Sequence, residues 1–270
     1  LQIVIFSIFL GIAINLSGEA ANPVKNFFNA SYVVVLKFSA IIISFSPYGV
    51  FALMAVTAGH YGLQALLPLF KLILTGYLSC FLLGIVYAVA LRFISKLNPI
   101  HFFKGISNAL IVAFSSSSST GTLPVSIRCA TENLGISRSI AGFLLPLGTT
   151  LNLNGLAIYL ATAVIFAANM YGVHLEFMQY ATLLVTIVLT SMGAGGTPGA
   201  ALIVMGAVMS AIDLPLGAIP IIAGIDRIID MGMTVANVAG GLFATLFIAN
   251  NEKEIGNYFI HYLYYSRRIF

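Results

Sequence analysis

The stretch AFSSSSSTGTLPV, residues 113–125, sets a run of hydroxyl side chains between two apolar stretches, 101–114 and 123–133. Arms of about 10–14 residues are too short to cross the ~30 Å of a bilayer's hydrocarbon core. A flexible serine linker between two such arms would serve no spanning purpose, so the run reads as the tip of a re-entrant helical hairpin. The full-length apolar segment 136–170 follows, with expected breaks at Pro146-Leu147-Gly148 and around Asn152-Leu153-Asn154-Gly155. The same grammar then repeats. Short arms 180–192 and 200–212 flank Gly193-Ala194-Gly195-Gly196-Thr197-Pro198-Gly199, and the long segment 214–250 comes after. A re-entrant hairpin returns to its own side and the helix after it crosses, so the second hairpin enters from the opposite leaflet and the two tips meet near the midplane. Interrupted short segments in corresponding halves mark the binding site of an inverted-repeat transporter.

The rest of the chain fits a membrane setting. Of 270 residues, 60% are hydrophobic and 7% charged, against roughly 25% charged in soluble domains. Mean hydropathy is +1.03. An ordinary soluble protein is excluded, and 12 Lys and Arg against 8 Asp and Glu are too few for a nucleic-acid surface. Cys80 and Cys129 have neither metal-ligand spacing nor a disulfide pattern. Apolar segments 1–16, 32–57 and 63–91 supply three further crossings. Leu1 lies inside an apolar run with no basic leader before it, so the chain reads as a piece of a longer protein. The fold class expected is thus an all-α polytopic membrane protein.

Basic residues orient it. One side takes the loops 17–31 and 92–104, the base of the first hairpin and the C-terminus, which carry Lys25, Arg92, Lys96, Lys104, Arg128, Arg138, Lys253, Arg267 and Arg268. The loops near 58–62, 169–179 and 213 carry no Lys or Arg. The positive-inside rule makes the first side, with the C-terminus, cytoplasmic, in a multi-pass plasma (inner) membrane protein. Lys37 and Lys71 sit near segment ends, where snorkelling explains them.

Asp226 and Asp230 lie deep in the last segment, where an ionised side chain costs at least ~2.5–3.5 kcal/mol on insertion scales. At i and i+4 they share a face that Thr234 and Asn237 continue. Asp226 also admits a purely structural reading, paired with a backbone amide at a hairpin tip, and Arg227 reads as a structural charge partner pointing elsewhere. The serine tip presents hydroxyls and backbone N-H groups suited to a carboxylate. The Asn152 to Asn154 segment offers amide oxygens and unwound carbonyls of the kind that coordinate small cations.

Four motifs in this order, AFSSSSSTGTLPV (113–125), LPLGTTLNLNGLAIY (145–159), GAGGTPGAA (193–201) and GIDRIIDMGMTVANVAG (224–240), resemble those of the dicarboxylate/amino acid:cation symporter family, the glutamate transporters. The resemblance covers essentially the whole chain, from the end of the family's fourth helix to its C-terminus. It implies a homotrimer in which a transport domain moves elevator-fashion past a scaffold. Residues 1–58 would be scaffold-like helices and 59–270 the transport-domain-like core: helix 63–91, hairpin one 98–133, helix seven 136–170, hairpin two 177–212, helix eight 214–250 and a cytoplasmic tail 251–270. The substrate-binding positions implied are Ser117, Ser118, Ser119, Thr197, Gly199, Asp230, Met233, Thr234 and Asn237. Asp230 would take the substrate's amino group. The cation-binding positions are Gly148, Asn152, Asn154, Asn237 and Asp226. No cofactor is implied beyond Na+ or H+ as coupling ion, and no transition metal; the partners expected are an amino acid, membrane lipid and sister protomers.

The departures from the family pattern shape the function expected. Members that carry acidic substrates have Arg where this chain has Met233, and its alternative position in the first hairpin is Ser117. An unpaired buried carboxylate costs several kcal/mol, so a neutral amino acid is expected. The family's Asn-Met-Asp-Gly-Thr reads Asn152-Leu153-Asn154-Gly155-Leu156, and its last carboxylate in helix eight is Gly241. Losing anionic oxygens weakens the hold on a hard cation. Reduced sodium dependence is therefore expected, with protons as replacement and Asp226 or Asp230 as carrier. Alternatives are an acidic amino acid or dicarboxylate symporter with an altered site, a channel, or an inactive homologue. An intramembrane enzyme is disfavoured: both aspartates share one helix, and His60, His101, His174 and His261 fall near segment ends, away from the serine tip.

Overall fold

The computed structural model describes residues 2–45, 66–192 and 194–256, with positions 48–49, 51–52, 55–56 and 59. Every element of length is a helix. Helix α1 (Gln2–Leu16) leads through a short 3-10 turn, Gly18–Ala21, to α2 (Asn22–Ser44). The expected loop 17–31 is therefore shorter and α2 starts ten residues before position 32. Pro23 explains this, because in a first helical turn its missing N-H costs nothing.

The body follows. Helix α3 (Leu66–Phe93) is a long apolar rod. Helix α4 (Pro99–Ser116) is capped by Asn98, whose side chain accepts from the Ile100 N-H, and it ends where Ser117 turns left-handed at φ 51°. One residue later Ser118 caps α5 (Ser119–Arg128) by accepting from the Gly121 N-H, and a π-helical turn, Cys129–Asn133, closes the second arm. Helix α6 (Arg138–Leu151) and α7 (Asn154–Met170) form one apolar stretch interrupted at Asn152 and Leu153. The break expected at Pro146-Leu147-Gly148 does not occur: α6 runs through it. The Thr149 and Thr150 hydroxyls donate to the Pro146 and Leu147 carbonyls at 2.7 and 2.9 Å, which helps the turn after the proline stay helical. Helices α8 (Phe177–Ser191) and α9 (Ala200–Ser210) form the second pair, and α10 (Ala218–Asn251) is the last. The second pair's outer arm ends two residues before the expected 212, and α10 begins four residues after the expected 214.

Among the described residues, three stretches are long and apolar enough to cross a membrane: Leu67–Phe93, Arg138–Met170 and Ala218–Asn251. They match three of the five crossings expected. The described part of 1–16 is a 15-residue helix, and positions 46–47, 50, 53–54 and 57 of the segment 32–57 lie outside the described residues, as do His60, His261, Arg267, Arg268 and the tail beyond 256.

Helix α10 is the axis of the body, packing on α3, α4, α6 and α7. Two apolar cores form around it. One gathers Leu72, Leu156, Tyr159, Met205, Ile222 and Met233, and the other Tyr87, Phe102, Leu145, Leu242, Leu246 and Ile255. The interrupted backbone at 117–118, 152–153 and 194–199 falls between the cores. Breaks bring unpaired peptide groups that apolar packing cannot satisfy, so the polar layer collects where the helices stop.

Candidate functional site

Each half supplies one tip to this layer, and the tips touch. The Ser118 hydroxyl donates to the Gly196 carbonyl at 3.1 Å and the Thr120 N-H donates to the same carbonyl at 3.3 Å. Such contact needs a residue without a side chain, since a Cβ on Gly196 would lie 2.9 Å from both Ser119 Cβ and the Thr149 carbonyl oxygen. The break in the helix after α6 is equally close to α10: a Cβ on Gly155 would run into the Met233 carbonyl. The Gly155 N-H, freed because it opens a helix, donates 2.7 Å to Asn237 Oδ1.

A cavity of about 10 Å³ lies at the meeting point, lined by Ser117, Ser119, Thr197, Asp230, Met233, Thr234 and Asn237 together with Leu153, Leu156, Gly195, Gly196, Ala200 and Ala201. That volume suffices for about one water molecule, so the tips are closed on each other. Seven of the nine expected substrate residues line it. The other two hold its walls: Ser118 caps α5 and ties the tips, and the Gly199 N-H donates to Asp230 Oδ2 at 3.4 Å. A tip amide is thus a partner of Asp230, as the structural reading of these aspartates allowed.

The polar groups here are under-satisfied. Ser117 and Ser119 are buried and their hydroxyls have no partner. Asp230, 2% exposed, accepts only long bonds of 3.4 Å, from the Gly199 N-H and the Thr234 hydroxyl. Buried hydroxyls and a buried carboxylate thus converge in one small space.

Asp226 takes another direction. It does not line the cavity, and its Oδ1 accepts a 2.9 Å bond from the Tyr159 hydroxyl. Tyr159 escaped attention in the sequence although it closes the motif at 145–159; a tyrosine in an apolar span needs a partner for its hydroxyl, and that was the available signal. Arg227 does not point away from the tips. Its Nη2 donates to the Ser116 carbonyl at 3.4 Å, while Nη1 is buried without a partner. Among the described residues no carboxylate lies within 4.0 Å of it, so it makes no direct ion pair.

Of the five expected cation-binding residues, Gly148, Asn152, Asn154 and Asn237 gather around Gly240 and Gly241, and Asp226 stands apart. Gly148 and Asn237 line a second cavity of about 20 Å³ with Ser119, Ser126, Thr149 and Gly241. Asn154 donates 2.8 Å to the Tyr87 hydroxyl, and the Asn152 amide nitrogen, beside it over Gly240, is buried without a partner. Asp226 precedes Asn237 by eleven residues on one helix, about 16 Å along its axis. Larger clefts of about 480 and 880 Å³ open on the body's flanks, but their walls are mostly apolar and they lack this convergence of polar groups.

Comparison with known proteins agrees with the geometry. Residues 1–251 match the model of the sodium:dicarboxylate symporter family. Similar proteins include the proton/sodium-glutamate symport protein of Geobacillus stearothermophilus, 35% identical over 94% of this chain and 60% of that protein. The proton/glutamate-aspartate symporter of Bacillus subtilis is 33% identical over 94% of this chain and 61% of its own length. The C4-dicarboxylate transport protein of the same organism is 34% identical over 94% and 60%. The chain thus spans about three fifths of the length of these relatives. With a match across nearly all its residues and relatives that are transporters, this membrane protein belongs to the sodium:dicarboxylate symporter family.

Proposed function

We propose that the protein is a secondary active transporter that carries an amino acid across the plasma membrane together with a cation, and that the amino acid is neutral. The observation behind this reading is the closed cavity that joins the Asp230 carboxylate to the unpaired Ser117 and Ser119 hydroxyls, with Met233 and no guanidinium among its lining residues. Asp230 takes the ammonium group and the two hydroxyls take the α-carboxylate. Met233 and Leu156 receive an uncharged side chain. The two helix pairs act as re-entrant hairpins whose tips part in turn, opening the site to one side and then the other. The basic residues at one end face the cytoplasm. Residues 1–58 serve as scaffold and 59–270 as the moving body, in a homotrimer, as the resemblance implies.

Radiolabelled amino-acid uptake by the full-length protein in liposomes, with sodium and proton gradients imposed separately, tests this. Preference for serine- or leucine-like substrates over aspartate and glutamate is expected. A second reading, an acidic amino acid or dicarboxylate symporter with an altered site, is favoured by the names of the relatives, which carry glutamate, aspartate or C4-dicarboxylates. Strong aspartate or glutamate uptake in that panel would select it.

A further inference from the structure

Helices α3 and α4 come from a stretch, residues 66–116, that contains no Asp or Glu. Its three cations nearest the connection collect at one end: Arg92 in the last turn of α3, Lys96 between the helices and Lys104 in the second turn of α4. Among the described residues no carboxylate lies within 4.0 Å of any of them. At this end a cleft of about 540 Å³ opens between the two helices, lined by Lys104 and Ser107 with Ala88, Pro99, Ile100 and Phe103.

The cleft runs on into the cavity of about 480 Å³ between α3, α4 and α10, since Ala88 and Phe103 wall both. This inner trough is almost wholly apolar. Its two tyrosines engage their hydroxyls elsewhere, Tyr77 donating to the Ile228 carbonyl at 2.7 Å and Tyr87 accepting from the Asn154 amide at 2.8 Å. The Tyr77 ring closes the far end against Gly232, where a Cβ would lie 2.9 Å from it. Lys104 and Phe114, the last α4 residue of the trough wall, are ten residues apart, about 15 Å of helix. That is half of the ~30 Å hydrocarbon core. The groove is therefore cationic at its mouth, apolar inside and one leaflet deep.

An amphiphile with an anionic head matches all three properties. Basic pockets between membrane helices on the cytoplasmic side take acidic lipid head groups. We propose that the groove binds one anionic phospholipid of the cytoplasmic leaflet, with its phosphate at Lys104 and Ser107 and an acyl chain in the trough; the leaflet follows from the threading proposed above. The chain lies along Phe103, Leu110 and Phe114 and reaches to two residues before Ser116, so it braces the arm that carries the first tip against α10.

Gly84 allows a direct test, because it lines the trough and a Cβ there meets nothing within 4 Å. Full-length protein in detergent is titrated with phosphatidylglycerol or with phosphatidylcholine of the same chains, and retained lipid is counted by native mass spectrometry. The wild type is expected to retain one phosphatidylglycerol per chain at a several-fold lower concentration than phosphatidylcholine. Gly84→Leu fills the trough and is expected to lose that lipid with no fall in unfolding temperature. Should that variant misfold, the mouth decides: Lys104→Gln is expected to weaken phosphatidylglycerol binding about fivefold, the worth of one cation at an anionic leaflet, and to leave phosphatidylcholine unchanged, while Lys104→Arg binds as the wild type does. Equal retention of the two lipids, or undiminished phosphatidylglycerol binding by Lys104→Gln or by a folded Gly84→Leu, would overturn the proposal. So would a wild type that retains no lipid, which would mean that another part of the full-length chain fills the trough.

Discussion

Met233 occupies a buried place against Gly155, and its backbone leaves no room for a larger neighbour there. Its own side chain lines the cavity, so its chemistry acts directly on whatever the cavity holds. Met233→Arg should move uptake from neutral toward acidic amino acids, read as the ratio of serine to aspartate uptake in liposomes; an unchanged ratio would sink the assignment. Ser119→Ala removes a hydroxyl that has no protein partner. It should leave stability within about 0.5 kcal/mol, as expected of a change that breaks no internal bond, yet raise the substrate concentration for half-maximal uptake. Gly155→Ala forces a methyl against fixed backbone and should cost roughly 1–3 kcal/mol, measured as a lowered unfolding temperature in detergent.

Among elements, the two helix pairs differ in how they are tied. The connection after the first pair forms a small antiparallel bridge, Ile136 to Ile255, with the Ser137 N-H donating to the Glu254 carbonyl and the Gly256 N-H to the Gly135 carbonyl at 3.0 and 2.9 Å. Both isoleucines are buried. The segment after α10 thus closes one end of the body, and Ile255→Ala should cost roughly 2–5 kcal/mol, visible in thermal unfolding while half-saturation by substrate stays put. The tips are tied to each other through Gly196. Gly196→Ala should hold them apart and depress uptake at least tenfold, the outcome expected of a misplaced site wall; normal uptake would mean the closed geometry is not part of the cycle. These elements were largely legible beforehand, because short apolar arms around Gly or Ser runs are a pattern of length and polarity. Their ends were less so. Pro23 and Pro146 act through local hydrogen bonding that hydropathy does not register, which is why α2 begins early and α6 runs on.

For the whole molecule, charge distribution governs orientation. Arg128, Arg138 and Lys253 lie at the end closed by the Ile136 bridge, since the bridge joins the connection before α6 to the residues after α10. Asp213 lies in the turn before α10, whose two ends are about 50 Å apart. With Cys80 and Cys129 replaced, a single cysteine at Lys253 should react with a membrane-impermeant maleimide only from the cytoplasmic side, and one at Asp213 only from outside. Labelling of both from one side would overturn the threading.

The sequence by itself determined the helical class, the membrane setting, the order of two interrupted halves and most of the residues at their tips, because each is a matter of polarity read against length. The partners were decided only in three dimensions. The spacing of Asp226 and Asp230 put them on one face, but their partners came from packing, which sent Asp226 to Tyr159 and Asp230 to Gly199. Likewise nothing in the spacing of Asn154 foretold that α3 would present Tyr87 to its amide. Which group meets which depends on how helices distant in sequence approach, and one-dimensional spacing carries no record of that approach.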